Sequence, residues 1–275
     1  MSTATASIAI PRTPLANALR TIGLAGLGFV TVIVALADVV ARAPAGQKKV
    51  ADALVQPNAT FLFGTDNLGR DVLSETIHAL AVTFTAAALA GAIIVVAGAC
   101  AGFVAARAPL RIGALLRLVS GVLGTLPVSL LAVAIAVLAG RNVAILAAGL
   151  AAVPSAFNRS YDRAMFLAGS RHAEFARATG IPASTLLRRD LVYELQGNFL
   201  NVAARALARG AIVFSTISFF GFGAVAPHRD LGVMIVDAYG FYLTHWWPAT
   251  FPALILLLFI LFARLTAGLG ESEPP

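Results

Sequence analysis

Thr65, Asp66, Asn67, Arg70 and Asp71 fall within FGTDNLGRDVL, residues 63–73, the most polar and turn-rich passage of an otherwise oily chain. Carboxylates beside a guanidinium suit general acid–base work when they converge on a cleft. The same residue types also close turns and start helices. Gly64 and Gly69 favour turns, and Asp66 is placed to cap a short helix. Val72, Ile77 and Leu80 give that helix an apolar face, with Arg70 and Asp71 set to anchor it at a membrane–water interface. On these residues alone an active site and a structural lead-in both stay open.

Other chemistries find less support. His78, His172, His228 and His245 are scattered, without the spacing of metal ligands. Cys100 is alone in an apolar run, so neither a disulfide framework nor a thiolate metal site is available, and no metal residues are expected. Ser215 and Ser218 have no histidine at similar depth, which disfavours a membrane-embedded hydrolase. A phosphate-binding loop needs a Gly-Lys pair, but the lysines Lys48 and Lys49 follow Gln47 and Lys48. This chain therefore carries no nucleotide site of that type, and no catalytic residue is assigned.

The elements that must position these residues are membrane helices. Of 275 residues, 59% are hydrophobic and 12% charged, and the mean hydropathy is +0.86. A soluble domain of this length needs more charge to cover its surface. The chain reads as all-α and polytopic, with six spans of about 20 apolar residues expected near 21–40, 80–106, 115–138, 143–162, 203–224 and 247–267. The first span follows Arg12 and Arg20 and mimics a signal peptide, yet its apolar run is long for one and further spans follow, so it is expected to be retained. Pro127 is expected to kink the third span. Gly91, Gly98 and Gly102 allow close helix approach.

Basic residues set the orientation. The net charge of +7 comes mainly from arginine beside apolar runs, which favours a topological role over nucleic-acid binding. With the N-terminus cytoplasmic, twelve basic residues lie inside and six outside, Arg205 and Arg209 apart. Both termini are thus expected in the cytoplasm. Arg205 and Arg209 share one helix face, either snorkelling from the inner end of the fifth span or serving a pathway. Trp246 and Trp247 fit the outer interface.

The inner connection contains SRHAEFARATGIPASTLLRRDLVYEL, residues 170–195. Gly180 can end one helix in the left-handed conformation, Pro182 blocks its continuation, and Ser184 can cap a second helix through Arg188, Arg189 and Leu191. A helix–bend–helix elbow results. It can lie on the bilayer or dock into a groove of a cytoplasmic partner, its arginines pairing with acids there.

Glu174, Phe175 and Ala176, with Gly180 four residues on, resemble the EAA---G loop of ABC importer permeases. Phe175 stands where that pattern has its first alanine, and Val192-Tyr193 where it has Leu-Pro. FGTDNLGRDVLSETIHA resembles the GTDxxGRDxxSR passage of the C-type subunit in the dipeptide, oligopeptide and nickel permeases. TISFFGFGAVAP, residues 216–227, resembles its LSFLGLGxxPP, and DLGVMI, residues 230–235, its WGxML segment with Leu231 for tryptophan. Phe214 stands where the family often has glutamate. The matches run in order from about residue 60 to 253.

The resemblance implies a type I ABC permease fold. Segments 1–42 form the N-terminal part and first span, 43–79 an extracytoplasmic loop, 80–268 the transmembrane core with a coupling loop near 163–195, and 269–275 a tail. Arg171, Glu174, Phe175, Ala176, Gly180 and Pro182 would couple to an ATPase, while Gly64, Thr65, Asp66, Gly69, Arg70 and Asp71 form the extracytoplasmic motif. Expected partners are a second, B-type permease subunit, two ATPase subunits holding ATP and Mg, an extracytoplasmic solute-binding protein and membrane lipid, in a bacterial plasma membrane. The implied function is ATP-driven import of peptides by alternating access, with nickel or a metal–chelator complex as the alternative cargo. A secondary transporter is disfavoured because the span centres lack Asp and Glu; Asp38 and Asp162 lie near ends.

Overall fold

Long apolar runs form helices because in lipid a helix satisfies its own backbone hydrogen bonds. The computed structural model describes residues 14–170, 174, 178–179, 183–224 and 227–268. Among these, no strand forms, and only an isolated bridge joins Thr65 to Asp71. Helix α1 spans Pro14–Ala35 and is followed by a short turn of helix, Ala37–Val40. Helix α2, Val72–Ile93, continues through a π-helical segment, Ile94–Ala99, into Cys100–Ala105. Then come α3 (Leu110–Thr125), α4 (Val128–Ala139), α5 (Ala144–Ala168), α6 (Ala183–Ile217), α7 (Leu231–Ala238) and α8 (Trp247–Ala267).

The all-α membrane architecture is as expected, but the count of six spans is only partly matched. Four helices are long and apolar enough to cross a membrane, or five if the bent α3–α4 pair is one span. That pair is the predicted third span, and it breaks by 96°. Leu126 takes an extended conformation before Pro127, as the residue preceding a proline is biased to do. The predicted fourth span is helical as α5, but Asn158, Arg159, Tyr161, Asp162 and Arg163 make its second half polar. Asp162 pairs there with Arg117 of α3 at 3.0 Å.

Two boundaries also move. Helix α2 starts at Val72, eight residues before the expected span, because Asp71 caps it and its first polar turns are buried. The elbow's second helix and the fifth span fuse into α6, 35 residues without a break.

Small residues set the packing. Helix α2 lies against α6, α1 against α8, and α5 against the π segment. A β-carbon on Gly98 would stand 2.4 Å from Ala156 Cβ, and one on Gly102 2.5 Å from the Phe157 carbonyl. One core cluster gathers Ala86, Ala90, Ala132, Ala136, Ala148 and Phe214; a second gathers Val30, Leu80, Ala87, Leu231 and Phe259. Lipid tails are as apolar as leucine, so close van der Waals fit replaces the hydrophobic effect as the force between such helices.

Candidate functional site

The segment 63–73 folds back on itself before α2. Gly64 and Gly69 both have positive φ, +71° and +70°. Gly69 also has no room: an added β-carbon would lie 1.8 Å from the Lys49 carbonyl oxygen. Between these glycines Asp66 closes the loop. Its Oδ1 accepts from the Leu68 and Arg70 amides, each at 2.9 Å, and its Oδ2 from Arg70 Nε at 2.6 Å. Asp66 thus braces a turn, and Asp71, not Asp66, is the helix cap, accepting from Ser74 N at 3.1 Å. Arg70 is buried against Asp66.

The loop is tied to the chain before and after it. The Thr65 hydroxyl donates to the Asp52 carbonyl and accepts from the Val55 amide. Its carbonyl accepts from Trp247 Nε1 at 3.0 Å, and Phe63 stacks on Phe251 with ring centroids 4.1 Å apart. The two tryptophans expected at the interface therefore divide: Trp247 is buried under the loop, while Trp246 is exposed.

Arg229, 154 residues beyond Glu75, completes the cap. Its Nη2 donates to Glu75 Oε2 at 2.8 Å and stands 3.5 Å from Asp66 Oδ2, while Nη1 donates to Asp237 Oδ2 at 3.1 Å. The Arg229 and Glu75 side chains are 6% and 5% exposed. Two buried cations, Arg70 and Arg229, thereby face two buried anions, Asp66 and Glu75. Glu75 Oε1 also accepts from the Gly46 amide at 2.6 Å. Burial alone would lower Arg229, but hydrogen bonding and charge from Glu75, with Asp66 and Asp237, hold its pKa above the ordinary value.

Asp230 caps α7, accepting from the Gly232 and Val233 amides at 2.8 and 3.2 Å and from the Ala224 amide at 2.8 Å. Burial pushes its carboxyl above the ordinary value, against these hydrogen bonds, which lower it. The oxygens of Asp66 and Glu75 are committed to donors within the protein, so the arrangement braces and does not offer them as acid or base. Among the described residues no group of three or more His, Cys, Asp or Glu gathers to hold a metal.

Sequence reasoning missed Glu75, Arg229 and Asp237 as partners of the motif. The only signal was the place of Glu75 and Arg229 in the polar passages SETIHA and PHRDLG; Asp237, in an apolar stretch, gave none. Of the expected coupling residues, Glu174 is exposed on helix, its amide donating to the Ser170 carbonyl at 3.1 Å. Arg171, Phe175, Ala176, Gly180 and Pro182 lie outside the described residues. Arg209 is half-buried and donates to Ser155 Oγ of α5; Arg205 is exposed.

No family model matches the chain. It is similar to the di/tripeptide transport system permease DppC of Pseudomonas aeruginosa, 26% identical over 79% of this chain and 73% of the relative. To the dipeptide transport system permease DppC of Bacillus subtilis it is 26% identical, over 94% and 82%. To the peptide transport system permease SapC of Haemophilus influenzae it is 28% identical, over 78% and 75%. These likenesses agree with the resemblance read from the motifs.

Proposed function

Taking this chain as a C-type permease of the ABC peptide-transporter family, we propose that it forms part of the membrane pathway of an ATP-driven peptide importer. The observation that carries this reading is similarity to peptide permeases across most of the chain. The names of those relatives give nickel no support. In this reading the chain pairs with a second permease subunit and with two ATPases that hold ATP and Mg, and its outer face meets a solute-binding protein. The N- and C-termini are cytoplasmic.

Helix α6 suits the mechanical role. It includes the elbow's second helix, starting at Ala183, and its 35 residues extend about 52 Å at 1.5 Å per residue. Its outer end leads through Ser218–Phe222 to the Ala224 amide, which is bonded to Asp230. ATP-driven movement of the elbow would reach the outer cap along one rigid element, opening the pathway to one side at a time.

Replacing Glu174 and Gly180 in the assembled complex tests the coupling. The expected outcome is reduced co-purification of the ATPase and reduced peptide uptake. Unchanged assembly and transport in both variants would refute the elbow as the coupling site.

A further inference from the structure

The sequence leaves Arg209 and Arg205 between snorkelling and function, and the structure separates the two. Arg209 lies ten residues inside Phe199 and thirteen before Phe222 in that candidate span, about 15 and 20 Å of helix from its ends. Arg209 thus interrupts a largely apolar length of helix. Ionisable side chains at such depth face a cavity or a partner, because hydrocarbon does not solvate them. Ser155 takes one of the five N–H donors of Arg209. Two cations, Arg159 and Arg264, lie close enough to act on its charge.

The face around Arg209 is open. Arg205, Arg209, Ile212, Thr216 and Phe219 recur at helical spacing along α6 and the segment that follows it, and each is exposed or half-exposed. Just outward of Arg209 lies a groove of about 360 Å³, walled by Ile212 and Thr216 of α6, Phe219 of the segment that follows it, Ile235 of α7, and Leu256 and Ile260 of α8. The Thr216 hydroxyl donates to the Ile212 carbonyl at 2.8 Å, so the groove wall is almost wholly apolar. The lining stops at Ile212, three residues outward of Arg209, and an apolar groove beside a strong polar group is the usual make-up of a site for a small amphipathic molecule.

We propose that this face lines the pathway, the groove taking an apolar side chain of the transported peptide and Arg209 its C-terminal carboxylate. The inference rests on the peptide-importer reading and names a specificity-determining residue within it. The cationic surroundings favour a carboxylate and repel the terminal ammonium, so a free-acid peptide is held in one direction. Arg205, one turn further in on the same face, takes the carboxylate next as the peptide moves toward the cytoplasm.

The test uses the complete transporter in proteoliposomes with binding protein saturated by a hydrophobic dipeptide or by its C-terminal amide. The wild type is expected to move the free acid faster, by about 10-fold or more, the worth of a charge-assisted hydrogen bond. Arg209→Gln brings the ratio near one by slowing the acid alone, and Arg209→Lys retains much of the preference. Should Arg209→Gln not assemble, Ile212→Glu sets a repelling carboxylate beside Arg209 and lowers the same ratio. Equal loss for acid and amide, an unchanged ratio in the variant that assembles, or an anionic phospholipid retained on Arg209 in the purified complex would overturn the assignment. Absence of ATP-driven uptake of either peptide by the wild type would instead overturn the importer reading.

Discussion

The polar cap around the start of α2 and the core between the long helices are held together by different means. In the cap, Asp66, Arg70, Glu75 and Arg229 are buried together, Arg70 held by nearby Asp66 and both carboxylates joined to Arg229 from far along the chain. In the core, α2 and α6 meet through backbone and β-carbons: Gly210 lies where a β-carbon would stand 2.4 Å from the Ala87 carbonyl oxygen. The cap depends on the chemical identity of a few side chains, and the core on their volume. In the importer proposed above, that division would serve recognition at the cap and tilting between the helices. Charges fix the loops before α2 and α7 in one register, while small-residue contacts such as Gly210 against Ala87 need no side-chain hydrogen bond.

Arg229→Met tests the cap most severely. It leaves Glu75 and Asp66 buried beside an apolar side chain, and breaking such a buried pair costs about 3–5 kcal/mol. Thermal unfolding of the purified protein in detergent should show a large loss, and the loops 42–71 should become accessible to protease. Trp247→Phe is next. It keeps the ring in place but strips the Thr65 carbonyl of its donor, at a cost of about 1–3 kcal/mol for a buried unsatisfied group. The same unfolding assay reads it.

In the core, Gly210→Ala forces α2 and α6 apart and is expected to cost about 1–3 kcal/mol through overpacking. A cap variant and this variant should add, since they share no partner; strong non-additivity would show the two regions to be one unit. Asp230→Asn gives the smallest effect at neutral pH, because asparagine also caps helices. Its signature is in pH dependence. The folded protein holds the Asp230 proton above the ordinary 3.8, so Asp230 makes stability fall as pH rises from that value through the folded one. The asparagine variant should lose that slope, as measured by unfolding midpoints across acidic pH.

Much of this division was legible in the sequence, but unevenly. Apolar runs announce helices, and Pro127 announces the break, though hydropathy treats α3 and α4 as one span because it does not register direction. The start of α2 was hidden because Ser74, Glu75 and Thr76 are polar yet buried, their groups satisfied by the cap. Gly64 and Gly69 gave away their turns. Nothing local could reveal that Arg229 belongs with Glu75, since a pair so distant in the chain leaves no periodicity to read. The same holds for Arg209, whose partner Ser155 is on another helix.

Uptake of a labelled dipeptide into proteoliposomes, with this chain, a second permease subunit, the ATPases and the binding protein each included or omitted, tests the central claim most directly. The account predicts uptake that needs ATP and every component, and that falls when this chain is left out. Uptake by this chain alone, driven by a proton gradient without ATP, would contradict it.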